Sequence, residues 1–378
     1  MRVVLFCHSL VSDWNHGNAH FLRGVASELL ARGHEIAVYE PAGGWSRSNL
    51  VAEHGTEPLD RFQKQFPHLR SEIYDAAGPD LDRALDGADL VIVHEWNDPA
   101  LVRRIGEARA RLGGFRLLFH DTHHRSVTAP EQMAAYDLSE YDGVLAFGAA
   151  VRDVYLRRAW ADRVWVWHEA ADSCVFRPRP GVAKERDITW IGNWGDDERT
   201  SELDEFLIGP IRDLKLNALV HGVRYPAHAL EKLSAAGISF GGWIPNYEAP
   251  LALAKSRTTV HVPRRPYAMS LPGVPTIRVF EALACGVPLV CAPWDDLEGL
   301  FTPGEDYLVA RDGAEMRECL RALLHDSELA ARISAQGRRT ILSRHTCRHR
   351  VDELLAIYGE LKGSRAAAES TRVAALAN

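Results

Sequence analysis

The chain is poor in sulfur and has no long apolar run. Its six cysteines (Cys7, Cys174, Cys285, Cys291, Cys319 and Cys347) form no C-x-x-C pair and no metal-type spacing with histidine. That pattern excludes a disulfide-framed module and a zinc-finger-like domain, and it predicts reduced, mostly buried thiols in a cytoplasmic protein. No stretch approaches the roughly 20 apolar residues of a membrane helix. The opening M-R-V-V-L-F-C-H is too short for a secretion signal and reads as a strand. Positive charge is not in excess either: 44 Lys and Arg face 51 Asp and Glu, a net charge of −7 with no basic run. A nucleic-acid or membrane-binding face is therefore not expected. The loop after the first strand, H-S-L-V-S-D-W-N-H-G-N-A-H, lacks G-x-G-x-x-G, which argues against a nicotinamide-dependent oxidoreductase. No solenoid-type repeat is visible.

What remains is an ordinary globular composition, 46% hydrophobic and 25% charged, in 378 residues, enough for two domains. Short apolar runs alternate with amphipathic stretches. Strands are predicted at 3–7, 36–39, 90–94, 116–120 and 143–147, with helices at 18–32, near 98–112 and 148–159. A second series has strands at 187–191, 218–221, 238–240, 259–262 and 289–292. A helical region, 314–361, breaks near 344–346. This is the pattern of an α/β chain with two doubly wound parallel sheets. The Pro- and Gly-bearing stretch 170–186 reads as a linker. The expected organisation is 1–169, linker 170–186, 187–345, a crossover helix 346–362 and a flexible tail 363–378.

The densest segment is P-T-I-R-V-F-E-A-L-A-C-G-V-P-L-V, residues 275–290. Thr276 is a plausible helix cap, and Ile277, Phe280 and Ala284 form an apolar stripe at helical spacing. Gly286 and Pro288 end the helix before a buried strand. Arg278 and Glu281 share one face, three residues apart. Free N–H groups and an arginine at a helix start suit a diphosphate, and a carboxylate one turn later suits a ribose diol. An ordinary surface Arg–Glu pair fits the same spacing. Arg264 and Arg265 follow the strand ending near Val262, where paired guanidinium donors could hold a pyrophosphate.

The residues Thr276, Arg278, Phe280, Glu281, Ala282, Ala284, Cys285, Gly286 and Pro288 resemble the nucleotide-sugar signature S-x-R-x-F-E-A-x-A-C-G-x-P of GT-B glycosyltransferases of the group 1 superfamily, spore-coat-maturation type. The resemblance covers residues 1 to about 358, strongest over 187–346 and weakest over 45–90. It implies two Rossmann-like domains facing a cleft, with the last helix crossing back to the first domain. The C-terminal domain would bind the nucleotide sugar and the N-terminal domain the acceptor. I-T-W-I-G-N is similar to the family's strand followed by Gly192 and Asn193, from which Arg199 would reach a phosphate. Gly241-Gly242-Trp243-Ile244-Pro245 resembles the turn that reads the nucleobase through backbone groups, those of Ile244 here; Trp243 could stack on the base or belong to the core. The E-A-A-D stretch at 169–172, with Phe176 and Pro178 in register, resembles the family's domain crossing and reads as structural. One departure stands out: the glutamate that retaining members carry eight positions before the ribose-binding one is here Gly273.

On the acceptor side, Asp13, His16, Gly17 and His20 surround the first helix start, and His16 suits a general base. Asp121, His123 and His124 follow the strand ending at His120. Glu95 and Trp96 follow His94, the indole being suited to a sugar ring. Each also has a structural reading as a cap, a buried histidine or plain packing. His and Asp at 120–124 are good metal ligands, but no further cluster completes such a site, and metal is not expected. The sequence therefore points to sugar transfer from a nucleoside-diphosphate donor, UDP-linked, to a hydroxyl acceptor, with no cofactor and no metal. A sugar-nucleotide epimerase and a catalytically silent carbohydrate-binding or assembly protein are the alternatives.

Overall fold

The structure is a computed structural model that describes the backbone of residues 1–376 and the side chains of residues 1–363. Among these, thirteen strands form two sheets, all pairs parallel. The first sheet holds β1 (Arg2–Phe6), β2 (Glu35–Pro41), β3 (Glu72–Tyr74), β4 (Leu90–His94), β5 (Arg116–Asp121), β6 (Gly143–Ala146) and β7 (Val164–Val166), in the order 3-2-1-4-5-6-7. The second holds β8 (Arg186–Ile191), β9 (Ala218–His221), β10 (Ser239–Phe240), β11 (Ser256–His261), β12 (Leu289–Cys291) and β13 (Leu308–Val309), in the order 10-9-8-11-12-13. Each sheet thus reverses its winding once, between β1 and β4 and between β8 and β11. Those switch points open crevices at the carboxyl ends of the strands. The expected α/β architecture of two Rossmann-like domains facing a cleft is what is observed. No helix among the described residues is long and apolar enough to cross a membrane.

The central strands are continuous apolar runs because both faces are covered: Val3, Val4 and Phe6 of β1 and Leu90, Val91 and Val93 of β4 have no exposed surface. Three strands absent from the sequence reading, β3, β7 and β13, are all edge strands of two or three residues. With one neighbour and one covered face they carry little apolar signal. Helices at Trp45–His54 and Glu57–Gln65 also fill a stretch the sequence left blank.

Helix α1 (Ala19–Ala31) lies on the first sheet, and α2 (Ile277–Ala284) on the second. The predicted stripe Ile277, Phe280 and Ala284 is buried, and Gly286, at φ 64°, ends α2 in a left-handed turn. The expected helical region 314–361 is Gly313–His325, then α3 (Ser327–Arg344) and α4 (Cys347–Leu376). The extra break falls at Asp326, whose carboxylate caps α3 through the Glu328 and Leu329 N–H groups. Helix α4 crosses back onto α1: Arg32 pairs with Asp352 at 2.6 Å, and the Trp167 indole N–H donates to Arg350 O at 2.8 Å. The helices meet so closely at Gly24 that a Cβ there would overlap Cys347 Sγ. Helix α4 runs past 362, where the sequence reading ended it. For the expected tail, side chains from 364 and all of 377–378 lie outside the described residues. One apolar cluster joins α1, α2, α3 and α4 across the domains. All six cysteines are free thiols.

Candidate functional site

The carboxyl ends of the two sheets face each other across a cavity of about 640 Å³. The C-terminal wall comes from Trp190 of β8, Gly192 and Asn193 after it, Val262 and Arg264 after β11, and Thr276, Ile277 and Arg278 at the start of α2. Thr276 occupies the cap position, but its side chain does not cap; its hydroxyl bonds His261 Nε2 at 3.0 Å instead. Thr276 thus leaves the start of α2 without an N-cap bond, and the Ile277 N–H turns to the Glu169 carboxylate, as a helix start that favours negative charge would.

Four guanidinium groups line this wall. Arg224 pairs with Asp196 at 3.0 Å. Arg264 pairs with Glu198 at 3.0 Å, and Arg278 with Glu281. Arg199 hydrogen-bonds only to carbonyl oxygens, those of Asn193, Trp194 and Val262, and stacks 5.1 Å from the Trp190 ring centroid. Burial, then the charge of Arg264, push its proton affinity down: it is a cation short of counter-charge. Arg265, by contrast, points outward to Glu202 at 2.8 Å and does not line the cavity.

Gly192 has no room for a side chain, because a Cβ would meet the Trp190 ring at 2.7 Å. Gly273, at φ 87°, would set a Cβ 3.0 Å from Glu298, whose carboxylate accepts from Ala149 N at 2.9 Å and approaches His168 Nε2 at 3.1 Å.

The N-terminal wall carries His8, His16, Gly17, Trp96, His123 and His124. The His16 Nε2–H donates to Ser9 O at 3.1 Å, so its Nδ1 is the bare, accepting nitrogen. Burial first, then His8 and Arg23, hold His16 well below the usual histidine range, so it is neutral at pH 7. His8 has the opposite tautomer. It accepts the Ser46 N–H at Nε2, 3.2 Å, and carries its proton on Nδ1; burial lowers its pKa to about 4. The rings of His8, His16, His94 and His120 follow one another at 5.1, 6.2 and 5.3 Å, leading from the cavity into the core.

Several residues expected on the cleft are elsewhere. Asp13 is buried in an ion pair with Arg23 at 2.8 Å and accepts from Trp243 Nε1 and Asn246 N at 3.1 and 3.0 Å. It joins the domains instead of facing the cavity. Trp243 is thereby engaged at its N–H and packs against His54, and neither Trp243 nor Ile244 lines the cavity. Asp121 is wholly buried and accepts from His123 N and Tyr155 OH at 3.0 and 2.9 Å, with burial raising its pKa to about 6. Glu95 is wholly buried under Thr122 and is pushed well up by burial.

The largest correction concerns Glu281, whose side chain is only 2% exposed. Its Oε1 accepts from His20 Nδ1 at 2.9 Å and its Oε2 from Arg278. The Asp172 N–H donates to His20 Nε2 at 2.8 Å, which fixes the proton of His20 on Nδ1. Neither Glu281 nor His20 lines the cavity; with Asp172 of the linker they form a tie between helices α1 and α2. Burial disfavours the Glu281 charge, but Arg278 and His20 outweigh it and hold its pKa down.

Sequence reasoning missed Asn15, Asn18, Glu169, Glu198, Arg224, His261 and Tyr267 on the cavity. Glu169 matters most. It accepts from Asn18 Nδ2 at 2.9 Å, and burial raises its pKa to about 7, against Asn18 and the Ile277 N–H that favour its charge. Its place directly after His168, between the domains, was the available signal.

Three comparisons bear on this geometry. The family model described as "Glycosyl transferase-like" matches residues 199–356. No curated protein matches the sequence. Among solved structures, sucrose-phosphate synthase from Thermosynechococcus elongatus is similar at a TM-score of 0.64 and 15% identity, covering 96% of this chain and 100% of that one. HepE from Anabaena, in complex with UDP and glucose, aligns at 0.63 and 14%, covering 95% and 100%. An alpha-glucosyltransferase in complex with UDP and a 13-mer DNA containing a HMU base aligns at 0.68 and 12%, covering 95% and 99%. The likeness is one of fold, and that fold is GT-B.

Proposed function

We propose that the protein transfers a sugar from a nucleoside-diphosphate donor, UDP-linked, to a hydroxyl acceptor, as a metal-independent glycosyltransferase of the spore-coat-maturation type. The observation that carries this reading is the cavity itself. Four arginines and the start of helix α2 stand on one wall, and a neutral histidine with a free accepting nitrogen stands on the other. The family match over 199–356 and the UDP complexes among the structural neighbours support the donor assignment.

On this reading Arg199, Arg264 and Arg278 hold the diphosphate, with the first turn of α2 behind it. His16 Nδ1 takes the proton of the acceptor hydroxyl as its oxygen bonds to the anomeric carbon. The bond from that carbon to the diphosphate oxygen breaks, and the electron pair leaves on the diphosphate. The arginines stabilise that charge where it develops, which is the work a metal does elsewhere. Asn18 and Glu169 lie between the two walls, at the sugar end.

The test is binding of UDP, GDP and dTDP to the whole protein by calorimetry and thermal shift, without added metal and with EDTA. UDP is expected to bind and raise the melting temperature. An Arg199→Ala variant is expected to weaken UDP at least about tenfold, about 1.4 kcal/mol. Silence toward every nucleoside diphosphate overturns the proposal. An epimerase would convert the donor with no acceptor present, so product analysis of donor alone separates that alternative.

A further inference from the structure

The first domain carries a second concavity, about 920 Å³, that shares His8, Trp45 and Trp96 with the cleft cavity. It runs from their common rim over the ends of β2, β3 and β4. Two indoles stand where the cavities join, 44% and 40% exposed for Trp45 and Trp96. They flank His8 at 6.4 and 6.1 Å and so make one joined aromatic rim, the kind of exposed patch that marks a binding groove.

Both are held in place. Trp96 has the Arg125 guanidinium 4.1 Å from its ring centroid and His123 edge-on at 5.0 Å. Trp45 sits edge-on against Trp14 at 5.0 Å, and the Trp14 indole N–H is anchored on Glu53 at 2.8 Å. The platforms are therefore pre-organised, so a ligand stacking on them meets little ordering cost.

Charge then narrows the class of ligand. In the groove Arg104 and Arg125 are balanced by Asp75 and Asp98, so there is no net cationic handle for a phosphate. Arg125 is already engaged by Glu95 O at 2.6 Å. The opposite wall of the cleft is the contrasting case, with four arginines of which Arg199 has no carboxylate partner. Flat apolar platforms with a charge-balanced polar rim match a molecule with apolar ring faces and many neutral hydroxyls.

Resting on the function proposed above, we infer that the acceptor is a neutral saccharide of more than one ring. Its reacting residue stacks at Trp96 beside His16 and His8, and the rest of its chain lies over Trp45 into the groove. The Nδ1–H of His8, at the junction, donates to a saccharide oxygen.

The experiment uses the full chain saturated with UDP and a panel of neutral di- to tetrasaccharides of the gluco, manno, galacto and N-acetylglucosamine series. Glucose 6-phosphate and 4-nitrophenol serve as anionic and purely aromatic probes. Saturation-transfer NMR detects binding, and calorimetry gives UDP affinity on the same samples. At least one neutral saccharide is expected to bind. Trp96→Ala and Trp45→Ala should each weaken it about tenfold or more while the UDP affinity stays within twofold, and Trp96→Phe should keep most of it.

Binding only of the phosphate or phenol probe overturns the inference. So does saccharide binding that both alanine variants leave within twofold. UDP bound with no saccharide response also overturns the inference, leaving the donor reading standing. Saccharide binding that needs both indoles in a protein that ignores UDP upholds the groove and overturns the donor reading instead.

Discussion

The two walls of the cleft solve different problems with different chemistry. The C-terminal wall is charged, with Arg199, Arg224, Arg264 and Arg278 beside the start of α2. The N-terminal wall is neutral, with His8 and His16 kept unprotonated by burial and Trp96 exposed beside them. A wall that holds a diphosphate needs fixed cations, whatever the pH. A wall that activates a hydroxyl needs an accepting nitrogen, which a charged imidazole lacks. The difference teaches that the two half-sites should fail in different ways when damaged.

The sharpest way to break the contrast is His16→Ala. Loss of a general base costs about 10²–10⁴ in rate. The turnover with saturating donor and acceptor is expected to fall by that much, while UDP affinity by calorimetry stays within twofold. Retained turnover would remove His16 from the chemistry, and a parallel loss of UDP affinity would erase the division between the walls.

The contrast was only half legible in the sequence. Arg278 and the helix that presents it could be read because helix start, stripe and stop all lie within sixteen residues. Arg264 and Arg199 follow strands of the second alternating series, which the sequence reading placed. Glu281 was misplaced because its partner His20 is 261 positions away, and spacing along a helix says which face a residue shares, not what covers that face. Asp13 and Trp243 hid each other in the same way, 230 positions apart. The edge strands β3, β7 and β13 were invisible because two or three half-covered residues make no pattern. Glu169 was read as structural because a carboxylate at the edge of a linker gives no sign of the helix start it faces.

The tie between the walls is the next place to press. His20→Ala would leave the Glu281 Oε1 and the Asp172 N–H buried without partners. Unpaired buried groups of this kind cost about 3 kcal/mol together. Urea unfolding should show a lower midpoint with an unchanged slope, the shift multiplied by the slope matching that loss. Glu281 also holds Arg278, so UDP affinity should weaken as well, though less than in Arg199→Ala. A variant with full stability would mean that His20 and Glu281 do not join the domains in solution.

The seam between the walls carries the smallest and most specific effect. Glu169 lies on the cavity with its pKa raised to about 7, mainly by burial. A carboxyl with a folded pKa above its unfolded value binds more protons in the native state between the two. Its contribution is therefore most favourable below the usual carboxylate range and is lost as pH rises to about 7. Glu169→Gln is neutral at every pH and keeps an acceptor for Asn18. The stability difference between pH 5 and pH 8, measured by urea midpoints, should shrink in this variant relative to the parent protein, with the variant gaining at pH 8. If the two proteins show parallel pH profiles, Glu169 is already ionised across that range. The charge contrast would then extend past the arginine wall to the seam itself, and the sugar end of the cavity would be anionic at neutral pH.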